Sequence, residues 1–101
     1  MTNEVIKKII QKAKALDFEV SRSYHPQRRS PVVYKQEICS LKGYENGMFL
    51  IHENVIMGST IEDTSYDVFE FDNNGNYVGR CELSDLPDDF FRNKKTIFLI
   101  K

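Results

Sequence analysis

The sequence predicts an α+β domain in which one N-terminal helix packs on a mostly antiparallel sheet of about six or seven strands. Three observations carry this. Residues 4–16 place apolar side chains at three- and four-residue steps. From residue 32 onward the chain breaks into short runs of β-branched and aromatic residues, separated by Gly-, Asn- and Pro-containing stretches. The connections between those runs are too short for the crossover that parallel neighbours require. With one long helix available, one sheet face is expected to stay partly open, or the sheet to curl into a half-barrel.

The elements follow in order. Val5, Ile6, Ile9, Ile10, Ala13 and Leu16 make one apolar stripe, and Lys7, Lys8, Lys12 and Lys14 cover the other side. Thr2 or Asn3 is placed to cap this helix, and Glu4 suits the positive end of its dipole. Residues 18–21 alternate and read as a first strand. Residues 24–31 read as a loop, because Pro26 and Pro31 stop regular structure. Residues 32–39 are rich in β-formers, and Glu45-Asn46-Gly47 signals a turn. Residues 48–51 and 55–57 read as two strands joined by a hairpin connection at His52-Glu53-Asn54. Residues 59–65 read as a polar loop. Residues 66–71 and 77–83 form a hairpin across Asp72-Asn73-Asn74-Gly75-Asn76, where Asn-Gly suits a turn that needs positive φ. Residues 84–91 read as a short helical turn capped by Ser84 or Asp85, with Pro87 near its start. Residues 96–100 are the last strand.

Composition sets the class. The 101 residues are 41% hydrophobic and 29% charged, with seven Phe and five Tyr, which suffices for one core without staples. One domain spanning residues 1–101 is expected, and the run at residues 97–100 is far too short to span a membrane. The net charge of −1 draws the whole molecule to neither nucleic acid nor membrane. The halves differ, however: residues 1–50 carry +4 and residues 51–101 carry −5. Cys39 and Cys81 lack zinc-type spacing and fall in strand-like segments, where a free cysteine serves as a small core residue. With no secretory signal at the start, reduced thiols and a cytoplasmic location are expected.

No catalytic or metal constellation stands out, and no cofactor is implied. The two histidines, His25 and His52, read as solvated loop residues, and neither is spaced to activate a cysteine. The Asp72–Asn76 stretch lacks the spacing of a calcium loop, and no Gly-rich phosphate loop is present. Two surfaces remain. Arg22, Tyr24, His25, Arg28 and Arg29 offer guanidinium forks and a stacking ring for a small molecule or nucleotide, although a pI near 6.1 argues against nucleic acid itself. Glu62, Asp63, Asp67, Asp85, Asp88 and Asp89 surround Tyr66, Phe90 and Phe91, a pattern of aromatic anchors with an acidic rim.

In size, single-domain build and lack of catalytic residues, the chain resembles the small inhibitor proteins of bacteria and phages. Toxin-neutralising immunity proteins and phage anti-defence proteins are examples. The likeness is one of build and covers no specific motif. It implies a non-enzymatic protein-binding inhibitor whose acidic, aromatic surface neutralises a partner, such as a basic nuclease-like toxin. The competing expectation is a ligand-binding module built on the arginines of residues 22–29.

Overall fold

The computed structural model describes residues 3–22, 32–57 and 62–100. Helix α1 (Asn3–Arg22) is followed by β1 (Val32–Leu41), β2 (Tyr44–Met57), β3 (Glu62–Asp72) and β4 (Tyr77–Cys81). A 3-10 turn at Leu83–Asp85 and the short helix α2 (Phe90–Asn93) then lead to β5 (Lys94–Ile100). The five strands form one sheet in the order β4-β3-β2-β1-β5, with every neighbouring pair antiparallel. The sheet is open, with β4 and β5 at its edges. The α+β class, the N-terminal helix and the antiparallel sheet are as the sequence predicts.

The strand count is lower than predicted for two local reasons. Residues 18–21 are the last turns of α1 instead of a strand. Phe18 and Val20 are β-formers, but nothing breaks the helix there. Extending an existing helix adds a hydrogen bond per residue without a new nucleus. The second reason lies at His52-Glu53-Asn54, which is not a hairpin connection. It contains neither Gly nor Pro, and β2 runs through it unbroken, paired with β1 on one side and β3 on the other. The turn expected at Glu45-Asn46-Gly47 is displaced to Lys42-Gly43, where Leu41 faces Tyr44. β3 begins at Glu62, inside the predicted loop of residues 59–65. The loop expected at residues 24–31 lies outside the described residues.

The apolar stripe of α1 docks as its periodicity requires. Ile9, Ala13 and Leu16 are buried against Ile38, Met48, Leu50, Phe69 and Phe71, with Val5, Ile6 and Ile10 at the margin. The opposite face has a smaller core of Cys39, Phe49, Ile51, Val68 and Phe90. Its cover is the connection from β4 to β5, which contributes Leu86 and Phe90. Burying one such side chain contributes about 1.5–3 kcal/mol. That places the fold's stability in two unequal layers, the larger one under α1. The predicted caps of the helical turn differ: Glu82 and Asp89 occupy the cap positions, without side-chain capping bonds.

The β3–β4 hairpin forms about the predicted turn, but β4 ends at Cys81, and Leu83, expected in the strand, opens the 3-10 turn. The Asp72 carboxylate organises it by accepting hydrogen bonds from the backbone N–H groups of Asn74 and Asn76, each at 2.9 Å. These bonds, the Asn76 one foremost, hold the Asp72 carboxyl below its usual range. Gly75 alone in the turn takes positive φ, at 84°. The turn packs on the helix, and Lys8 donates to the Asn76 side-chain oxygen.

Candidate functional site

Strand register brings together two groups of polar and aromatic side chains, one on each face of the sheet. On the face away from α1, the connecting segment covers only part of the surface. Lys35 of β1 pairs across with Glu53 of β2, and Glu53 with Tyr66 of β3, so these three stand in one row. Glu37, Ile51 and Val68 form the next row toward α2. A groove of about 420 Å³ lies here, lined by Lys35, Glu37, Ile51, Glu53, Tyr66, Phe91 and Lys94.

Two features define the groove. Its rim holds the rings of Tyr66 and Phe91 with centroids 5.0 Å apart and planes tilted by 48°. Both stay open to solvent, at 39% and 42% exposure, although each touches the other. Phe91 is also set edge-on against buried Phe90, 5.2 Å away, and Phe90 packs on Phe49 in the same way at 5.3 Å. The exposed ring is thus held by the core beneath it. The wall of the groove holds buried Glu37, which accepts from Lys94 Nζ at 2.5 Å and Thr96 Oγ1 at 2.7 Å. Burial opposes ionisation of Glu37, yet the hydrogen bonds from Lys94 and Thr96 outweigh it and hold the carboxyl below its usual range.

The second group lies under the C-terminal half of α1. Beyond Met48 and Leu50, the helix-facing side of β2 continues with His52 and Asn54, both 0% exposed. His52 Nε2 lies 3.2 Å from Gln36 Nε2, and its ring meets Phe69 edge-on at 4.9 Å. Burial drives the His52 pKa down, with Arg80 adding to this and Asp17 and Asp67 partly offsetting it. Asn54 Nδ2 donates to Asp67 at 2.6 Å, and Arg80 closes an ion pair on the other Asp67 oxygen. His52 Nδ1 and Asn54 Oδ1 are buried without hydrogen-bond partners.

The predicted acidic rim therefore divides. Tyr66 is on the groove, and Asp85, Asp88 and Asp89 are exposed on the covering segment. Asp89 also accepts from Asn93 at 2.6 Å. Asp67 does not belong with them. Strand alternation turns it to the opposite face from its neighbour Tyr66, where it is 8% exposed and already paired. Glu62 and Asp63 open β3 opposite Met57 and Ile56, and their side chains lie outside the described residues. In the alternative set, Arg22 is the last residue of α1, while Tyr24, His25, Arg28 and Arg29 lie outside the described residues. His52 is not a solvated loop histidine, because β2 carries it into the interior.

Lys35, Glu37, Glu53 and Lys94 escape a sequence reading, since only the β1–β2–β3 and β1–β5 registers unite them. One signal was present for the buried pair His52 and Asn54: the stretch His52-Glu53-Asn54 contains neither Gly nor Pro, so nothing in it demands a turn.

Among the described residues no group of His, Cys, Asp and Glu is arranged to hold a metal ion. Neither thiol meets the His52 imidazole, which faces α1 while Cys39 and Cys81 belong to the opposite core. Both cysteines are free, and burial pushes the Cys39 thiol up to about 12, with Glu37 reinforcing the shift. Among the described residues no helix is long and apolar enough to cross a membrane. No protein-family model, curated protein or solved structure matches the chain.

Proposed function

We propose that the chain is a non-enzymatic binding protein that docks a protein partner on the groove beside α2, acting as an inhibitor of the bacterial immunity or phage anti-defence kind. The observation that carries this is the exposed Tyr66–Phe91 pair. Two large rings from separate elements are held together at the surface over a partly uncovered sheet face. Aromatic side chains supported from below and rimmed by polar groups are the usual energetic centres of protein interfaces. Asp85, Asp88 and Asp89 on the adjoining segment add negative charge that would speed encounter with a basic partner, such as a nuclease-like toxin. The separation of His52 from both cysteines supports a binding role over nucleophilic catalysis.

The test is affinity capture from the native host with the tagged chain, comparing wild type with Tyr66→Ala/Phe91→Ala. Val78→Ala, at an exposed site on edge strand β4, serves as the control. A partner retained by wild type and control but lost by the double variant supports the proposal, provided circular dichroism shows all three folded. Equal retention by all three refutes it.

A further inference from the structure

We infer that the groove receives a guanidinium group, presented as an arginine side chain by the protein partner, an inference that rests on the reading of the groove as a docking site. The first reason is the aromatic rim. Tyr66 and Phe91 offer exposed ring surface on which a flat cation stacks favourably. The second is the state of the two carboxylates that line the groove. Glu37 is buried and fully engaged by Lys94 and Thr96. The Glu53 carboxylate has no hydrogen bond or ion pair among the described residues. It sits directly across from Tyr66, a placement that sets side chains roughly 5 Å apart. An aromatic face beside an uncommitted carboxylate selects for a cation. The fork of a guanidinium can engage both Glu53 oxygens while its plane rests on the ring.

The protein's own cations frame the choice. Lys94 is taken by Glu37. Lys35 stands opposite Glu53 on the other side, exposed and not within ion-pair distance of it. It is a hydrated point charge that cannot match the bidentate geometry, so an incoming arginine can displace its influence on Glu53. Removing Lys35 should therefore favour the arginine probe over its neutral counterpart, whereas a purely apolar docking surface would strengthen for both.

The experiment is an amide NMR titration of the full chain, at low salt, with N-acetyl-arginine-N-methylamide and with its neutral citrulline counterpart. The arginine probe should give saturable shifts at Lys35, Glu53, Tyr66 and Phe91, with a dissociation constant on the order of 1 mM. Citrulline should bind about tenfold more weakly, having lost both the ring and the carboxylate attraction. Glu53→Gln should weaken the arginine probe about threefold, and Lys35→Met should strengthen it. Equal shifts from the two probes, shifts confined to Asp88 and Asp89, or no shifts would overturn the inference. If capture depends on Tyr66 and Phe91 while neither probe moves the groove, the docking surface stands and the guanidinium assignment falls.

Discussion

Replacing Gly75 with alanine tests how the hairpin and helix α1 depend on each other. Two costs are built into this site. The backbone sits at φ of 84°, a region where an L-residue is disfavoured by about 1–2 kcal/mol. An added Cβ would also stand 3.1 Å from the Val5 carbonyl oxygen, 3.3 Å from Val5 Cγ1 and 3.4 Å from Lys8 Cβ. The first two contacts are too close, and one is with helix backbone, so either the turn or the first turns of α1 must move. Overpacking of this kind costs about 1–3 kcal/mol. The combined loss is about 2–5 kcal/mol, a large share of the roughly 5–15 kcal/mol that holds a domain folded. Urea denaturation followed by circular dichroism should show a lower midpoint with an unchanged slope. Gly75→Asn separates the terms, since Asn tolerates positive φ but carries the same Cβ. It should recover the backbone share and no more. Combining Gly75→Ala with Val5→Ala removes the Cγ1 contact and leaves the carbonyl contact, so the double loss should fall short of the sum. A Gly75→Ala midpoint equal to wild type would refute the close packing of turn on helix.

Three further outcomes follow from other sites. Gly47→Ala should destabilise by at least about 2 kcal/mol in the same assay, because its Cβ would run into the Phe71 carbonyl oxygen and force β2 from β3; wild-type stability there would refute that register. Lys94→Met should cost about 1–3 kcal/mol by stranding buried Glu37, and adding Glu37→Leu should recover much of it; a double variant weaker than the sum of the two would contradict this. His52 has a folded pKa below its ordinary 6.5, so the unfolded chain binds the proton more readily. Its contribution is present in full above pH 6.5 and is lost as pH falls below that value, and urea midpoints between pH 7.5 and 5 should decline more steeply for wild type than for His52→Phe.

The sequence made the helix and the last hairpin legible because both are local. The stripe from Val5 to Leu16 needs only 3.6-residue periodicity, and the turn at Asp72–Asn76 needs only side chains that bond their own backbone. The middle of β2 was not legible for the opposite reason. His52 and Asn54 look like turn residues by polarity, and only pairing with Gln36 and Asp67 lets a strand bury them. The same limit hid the groove. Tyr66 and Asp67 are adjacent in sequence and acidic-aromatic in character, yet strand alternation sends them to opposite faces. Charge counted along a chain therefore overstates the acidic surface: Asp67 belongs to Arg80 and Glu37 to Lys94, and neither is offered to a partner.

The position of the groove follows from topology. β4 and β5 lie at opposite edges of the sheet, four strand spacings apart, so the chain between them must cross roughly 19 Å. It cannot cross on the side of α1, where Ile9, Ala13 and Leu16 already seal the larger core. Residues 82–93 therefore cross the other face, and Leu86 and Phe90 anchor them over Phe49, Ile51 and Val68. One pass of chain is narrower than the strands are long. β2 runs on beyond Ile51 to Met57 and β3 begins as early as Glu62, so the row of Lys35, Glu53 and Tyr66 extends past the cover. Phe91, next to the buried anchor Phe90, lands at that boundary and meets Tyr66 there. Shortening the crossing segment would pull on Phe90 and Phe91 together, so the groove would be lost along with the smaller core. The exposed aromatic pair is thus placed by the same connection that closes the sheet's second face, which ties any partner that docks there to the integrity of the β4–β5 crossing.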